Sequence, residues 1–247
     1  MTHPQGTQLL PFYLVLDVSI SMRGDKLDQA NQIMPRVRDA LAENPILADK
    51  VRFSVIDFGS DARVRMPMCD PLDEQIDLPT MNVRGCTSYA SAFWLLRSEI
   101  ENDIKQLKAD GFSVYRPAVF FLTDGLPTDE PAVWRDAFAD LTHWDKSTQQ
   151  GFRTYPNVIP CGVGQADPKV LRELIHPAAG TKQMQMYLME EGGDAARAIG
   201  AVAEILVSSV VASGQSITQG GTGLVLPEKA LLPVGVDAYS ADDEIFM

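Results

Sequence analysis

The sequence predicts an α/β domain: a doubly wound, mostly parallel six-stranded sheet with one antiparallel edge hairpin, Rossmann-like and flanked by helices. Two unbroken apolar runs, Phe12–Leu16 and Ala118–Leu122, lack the in/out alternation of a half-exposed strand and read as central strands covered on both faces. Each run ends in an aspartate, Asp17 or Asp124, and a turn. Stretches with an apolar period of three to four residues separate the strand-like runs, as crossover helices between parallel strands require.

Taken in order, the strand ending at Asp17 is followed by Leu27, Ala30, Ile33, Val37 and Ala40 at helical spacing. Pro35 removes a backbone donor there, so a kink or a late helical start is expected. Val51–Phe58 and Ala62–Met68 are strand-like and joined only by Gly59-Ser60-Asp61, too short for a crossover; they predict an antiparallel pair. Asp70–Arg84, rich in Pro and Asp, reads as a surface loop ending in Gly85-Cys86-Thr87-Ser88. Phe93, Leu96, Ile100, Ile104 and Leu107 mark a long helix closed by Gly111. After the strand ending at Asp124, Asp129 and Glu130 open a helix to about His143 with Val133, Ala137, Phe138 and Leu141 inward. Asn157–Val163 is a weaker strand and Pro168 starts a short helix. Met184–Met189 reads as a last strand, and Ile199, Val202, Leu206 and Val210 as a last helix. The expected division is a domain over 1–213 and a C-terminal extension over 214–247, docked or disordered.

Composition narrows the function classes. With 21 Lys and Arg against 33 Asp and Glu, the net charge is −12 and no basic run can track a phosphate backbone, so nucleic acid is not an expected partner. No positively charged leader precedes an apolar segment, and no eighteen consecutive apolar residues occur, so no membrane span is expected. Three scattered cysteines, Cys69, Cys86 and Cys161, fit neither a disulfide framework nor a zinc site and agree with a reducing, cytoplasmic setting.

The chemistry gathers where the winding of the sheet reverses. In the strand order 3-2-1-4-5-6, strands one and four are neighbours, and the crevice at their carboxyl ends is the expected binding site. Asp17, Ser19 and Ser21 follow strand one, Asp124 follows strand four, and Thr87 opens the long helix. Two carboxylates brought together repel each other, and a divalent cation holds such a pair. Carboxylate and hydroxyl oxygens suit a hard ion, Mg²⁺ first and Mn²⁺ or Ca²⁺ as alternatives. Capping of the following helices by the same Ser and Asp residues explains each loop singly but not the second strand-end aspartate.

Asp17-x-Ser19-x-Ser21, Thr87 and Thr123-Asp124-Gly125, in this order and at these element ends, resemble the metal-ion-dependent adhesion site of a von Willebrand factor A domain. The resemblance covers about Leu9 to Ser213. It implies that Ser19 and Ser21 ligate the metal directly, that Thr87 ligates in the ligand-bound arrangement, and that Asp17 and Asp124 act directly or through water. It further implies a non-enzymatic module whose metal accepts an Asp or Glu from a protein partner. Leu10–Asp17, Phe120–Asp129 and Ser208–Gly214 resemble the bacterial TerY-type proteins of tellurite-resistance and stress clusters, which implies a signalling setting with a protein kinase and a PP2C-type phosphatase. Two positions depart from the common pattern: Ile20 and Cys86 stand where glycine is usual.

Two alternatives stand beside this reading. Asp17 near Mg²⁺ could serve as nucleophile in a phosphotransferase or phosphatase, although Ser19 occupies the position where such enzymes carry a second carboxylate and no lysine is evidently placed to assist. A degenerate site would leave a metal-independent scaffold. His3, His143 and His176 are isolated and read as surface or internally satisfied residues; Cys86 reads as a packing residue; and Asp242, Asp243 and Glu244 offer carboxylates to a metal site in the same chain or a neighbour.

Overall fold

The computed structural model describes residues 6–180 and 183–243. In chain order its elements are β1 (Gln8–Asp17), α1 (Asp25–Asn31), α2 (Ile33–Ala42), α3 (Pro45–Ala48), β2 (Val51–Phe58), β3 (Ala62–Cys69), α4 (Tyr89–Ala109) and β4 (Ser113–Val114). There follow β5 (Ala118–Thr123), α5 (Pro131–Thr142), β6 (Trp144–Asp145), β7 (Gln150–Gly151), β8 (Asn157–Gly162), α6 (Pro168–Glu173), β9 (Gln185–Met189), α7 (Ala195–Thr218) and β10 (Val236–Ser240). The principal sheet runs β10-β9-β8-β5-β1-β2-β3, with β4 beside the start of β1. Its six expected strands lie in the 3-2-1-4-5-6 order. Two further strands, β4 and β10, make eight, and β6 and β7 form a separate ribbon.

Strand β1 is the axis of the sheet. From Leu9 to Asp17 its residues are buried, with β2 parallel on one side and β5 parallel on the other. Pro11 lacks an N–H, yet a central strand accommodates it because it falls where β1 changes partner: Leu9 pairs with Val114 of β4, and Phe12 with Ala118 of β5. The β2–β3 pair is antiparallel, as its three-residue connection requires. Phe12, Phe53 and Phe120 line up across three adjacent strands, with Phe12 and Phe53 stacked at 5.2 Å between centroids.

The helices follow the apolar periods. Leu27, Ala30, Ile33 and Val37 are buried, and the helix breaks into α1 and α2 at Gln32, three residues before Pro35, which sits in the first turn of α2 where its missing N–H costs least. All five spaced apolar residues of α4 are buried, and Gly111 takes φ +90° just past its end.

Helix α5 corrects one expectation. It begins at Pro131, with Trp134 rather than Val133 facing inward; Val133 is 41% exposed. Asp129 is left free of this helix, and its Oδ2 instead accepts the backbone N–H of Ala90 at the start of α4 at 2.9 Å.

By length and composition α7 would pass as a bilayer span, which a search for uninterrupted apolar runs misses because Glu204, Ser208 and Ser209 break the run. Here its stripe of Ala198, Ile199, Val202, Ile205, Leu206 and Val210 is buried in the core. The helix continues to Thr218, and β10 pairs antiparallel with β9, burying Val236 and Ala238. Leu224, Leu226 and Leu232 pack on the core between them.

Candidate metal centre

The site is built from the ends of β1 and β5 and the loop before α4. Asp17 ends β1 and is wholly buried. Its Oδ1 accepts the backbone N–H of Ser19 at 2.8 Å, folding the loop back over the strand end. Its Oδ2 accepts the hydroxyl of Thr123, the last residue of β5, at 2.7 Å. Ser19 Oγ lies 3.0 Å from Ser21 Oγ, and Ser21 Oγ donates to Asp124 Oδ1 at 2.6 Å. Asp17, Ser19, Ser21 and Asp124 thus form a continuous polar chain spanning loops about a hundred residues apart in sequence.

Thr87 enters from the third loop. Arg84 N donates to Val18 O at 2.6 Å, and Ile20 N donates to Gly85 O at 3.1 Å, so the first and third loops are joined backbone to backbone. Ser88 N donates to Gly59 O, and the Thr87 carbonyl accepts from both the N–H and the hydroxyl of Thr128. Close approach explains the glycines. A Cβ on Gly59 would stand 1.9 Å from the Arg84 carbonyl oxygen, and one on Gly85, at φ +63°, 2.2 Å from Ser60 Oγ. The Thr87 hydroxyl is not part of the chain joining the other four residues, although Thr87 itself is buried.

Beneath the site the floor is aromatic. Phe121 stacks on Phe58 at 5.0 Å and meets Tyr89 edge-on, also at 5.0 Å. Tyr89 OH reaches up to donate to the Gly125 carbonyl at 3.0 Å. Burial raises the Asp17 carboxyl above the ordinary carboxylate range; the hydrogen bonds from Ser19 and Thr123 oppose the rise, and the Asp124 charge adds to it.

Three features escaped the sequence reading. Lys26, in the first turn of α1, contacts Asp124 Oδ2 through its ammonium, correcting the expectation that no lysine is placed at the site. Its signal was weak: a lysine two residues beyond Gly24 and five beyond Ser21. Arg84 forms the second feature. Its guanidinium bonds Asp57 Oδ1 at 2.8 Å and Asp61 Oδ1 at 2.7 Å, clamping the Thr87 loop to the β2–β3 hairpin. Thr123 is the third; it lay inside the quoted motif without a role.

Other expectations also resolve. Cys86 is exposed, because Gly85 turns it out to solvent instead of packing it. The Asp70–Arg84 loop is held down by reciprocal bonds between the Asn31 amide and the Met81 backbone, at 2.7 and 3.2 Å. Asp242 and Asp243 cannot reach the crevice of their own chain: Ser240 pairs with Gln185 at the amino end of β9, and the crevice lies at the carboxyl ends of β1 and β5. Glu244 and His3 lie outside the described residues. His176 Nδ1 lies 2.9 Å from the Pro156 carbonyl, and His143 is exposed.

The donors suit a hard divalent cation. They are carboxylate and hydroxyl oxygens, and one ammonium against two buried carboxylates leaves a negative charge uncompensated. Among the described residues no cluster of three His, Cys, Asp or Glu could hold a metal, so any ion here relies on hydroxyls.

The chain is thus a doubly wound α/β domain with a hydroxyl-rich, two-carboxylate crevice at its switch point. The family model of the von Willebrand factor type A domain matches residues 12–126. Such domains are generally non-catalytic binding modules that mediate protein interactions, typically with a metal. The fold is similar to that of proximal thread matrix protein 1 from the mussel byssus, in a structure whose MIDAS motif is occupied by zinc. That likeness has a TM-score of 0.53 and 16% identity, covering 84% of this chain and 49% of the other. It is also similar to the open conformation of the pilus adhesin SpaC from Lactobacillus rhamnosus GG, with a TM-score of 0.57 and 13% identity, covering 84% of this chain and 30% of that one. At these identities the likeness is one of fold, and the chain spans half or less of the length of these proteins. No curated protein matches the sequence significantly.

Proposed function

We propose that this chain is a non-enzymatic, metal-dependent protein-binding module in which Asp17, Ser19, Ser21, Thr87 and Asp124 hold one Mg²⁺, with Mn²⁺ or Ca²⁺ as substitutes. The observation that supports it is the convergence of two buried carboxylates and the Ser19 and Ser21 hydroxyls from separate loops into one connected set, with Thr87 in the adjoining loop. Such a set supplies fewer charges than a carboxylate cage. The ion would therefore remain a strong Lewis acid with room for an Asp or Glu from a partner. Ile20 at 60% and Leu126 at 53% exposure flank the mouth and would read the apolar surroundings of that carboxylate.

On the TerY-type resemblance, we extend the proposal to a bacterial cytoplasmic adaptor in a stress or tellurite-resistance system whose partners include a protein kinase and a PP2C-type phosphatase. Three free cysteines agree with a reducing setting. The phosphotransferase alternative is disfavoured because Asp17 is fully buried and both its oxygens already accept hydrogen bonds.

Thermal unfolding across a Mg²⁺ titration tests the metal. Binding confined to the folded state adds about 2.7 kcal/mol at a hundredfold excess over Kd. The native chain should gain and Asp124→Ala should not; equal curves with and without chelator would leave metal-independent scaffolding as the better reading.

A further inference from the structure

Among the described residues, Lys26 is the one cation that touches a carboxylate of the crevice. Its ammonium lies on Asp124 Oδ2, with the Lys26 side chain 24% exposed and that of Asp124 fully buried. A lysine in the first turn of a helix sits against the helix dipole, and its neighbours there, Asp25 and Asp28, have the favoured sign. Helix formation therefore does not account for Lys26. Gly164 forms the opposite wall; a Cβ there would lie at ordinary contact distance, 3.5 Å from Asp124 Cβ and 4.0 Å from Lys26 Nζ, and its φ of +61° accounts for the glycine.

We propose that Lys26 is a built-in counter-cation that weakens the hold of the site on its metal and strengthens the hold of the loaded site on an anionic partner; this rests on the metal-site reading above. The charges give the reason. Asp17 and Asp124 with Lys26 carry one net negative charge. A divalent ion turns this to one net positive charge, which a single partner carboxylate neutralises. Without Lys26 the loaded site is already neutral, and a partner carboxylate leaves it negative. In a partly buried site, where charges are only partly screened, such a difference favours anion capture. Lys26 thereby makes metal and partner binding interdependent, with partner occupancy tightening the metal.

The test uses Mn²⁺ as metal and acetate as carboxylate, with free Mn²⁺ followed by electron paramagnetic resonance. Lys26→Gln keeps a polar stem without charge, and Lys26→Arg keeps the charge. Lys26→Gln should bind Mn²⁺ at least about tenfold more tightly than the native chain, and this gain should shrink at high salt. Acetate should tighten Mn²⁺ binding in the native chain and in Lys26→Arg, and less or not at all in Lys26→Gln. The opposite signs separate this role from a structural one, in which both affinities would fall together. If the native chain binds Mn²⁺ and Lys26→Gln binds it no more tightly, the counter-cation proposal is overturned while the metal reading stands. If no chain binds Mn²⁺, the metal reading falls and takes the proposal with it.

Discussion

Thr123 donates its hydroxyl to Asp17 Oδ2 at 2.7 Å, 106 positions away in sequence, and is itself wholly buried. The bond ties the ends of the two central strands and fixes which way the Asp17 carboxylate faces. Orienting partners of this kind typically carry 10–100-fold in metal affinity. Thr123→Val keeps the shape and removes the donor, so calorimetry should show Mg²⁺ affinity falling by about that factor. Stability should fall by about 1–3 kcal/mol for the buried acceptor left unpaired. An unchanged Mg²⁺ affinity would remove Thr123 from the site.

Arg84 holds Asp57, whose side chain is 1% exposed and whose Oδ2 has no hydrogen-bond partner; Arg65 stands 3.6 Å away. Breaking the pair from the arginine side leaves a buried charge. Arg84→Met should destabilise the domain by about 3 kcal/mol in urea unfolding, and adding Asp57→Asn should restore much of the loss. Failure of the double variant to recover would mean that Arg84 acts through the loop alone.

Gly59→Ala would set a methyl 1.9 Å from the Arg84 carbonyl, a backbone atom that cannot yield without moving the Thr87 loop. Metal affinity should therefore fall along with stability, whereas Gly111→Ala, with nothing within 4 Å of its Cβ, should lower stability only. The comparison is read by Mg²⁺ titration of both variants.

His176 supplies a pH dependence. Burial holds its pKa below the ordinary histidine value, helped by Arg116 and opposed by the Pro156 carbonyl. The unfolded chain then binds more protons than the folded one just below that ordinary value, about 6.5. Stability from this group is complete above the ordinary value and is lost as pH falls through the folded one. Carboxyls raised by desolvation, the buried Asp17 and the half-buried Asp103, act with the opposite sign. Urea midpoints from about pH 7.5 to 5 should therefore fall less steeply for His176→Gln than for the native chain.

Ending the chain at Thr218 removes β10 and uncovers the β9 edge. The truncated protein should lose at least about 5 °C in Tm and become prone to edge pairing. Mg²⁺ affinity of its folded fraction should stay unchanged, since β10 ends at the opposite end of the sheet from Asp17. A fall in that affinity would show that the extension shapes the crevice.

Much of this was decided by the sequence alone. Unbroken apolar runs such as Phe12–Leu16 leave a strand no exposed face, and the spacing of Phe93 to Leu107 admits only one buried helical face; strand order and the switch-point crevice follow from crossover geometry. Asp17, Ser19, Ser21 and Asp124 were legible because their places at strand ends are local facts.

The tertiary structure decided what depends on distant partners. Trp134 rather than Val133 turns inward because α5 starts at Pro131, and Asp129 serves α4 instead of its own helix. β10 becomes a strand only because β9 offers it an unpaired edge. Lys26, Arg84 and Thr123 acquire roles through single contacts across 23 to 106 positions of chain, and no local period or propensity encodes a contact of that kind.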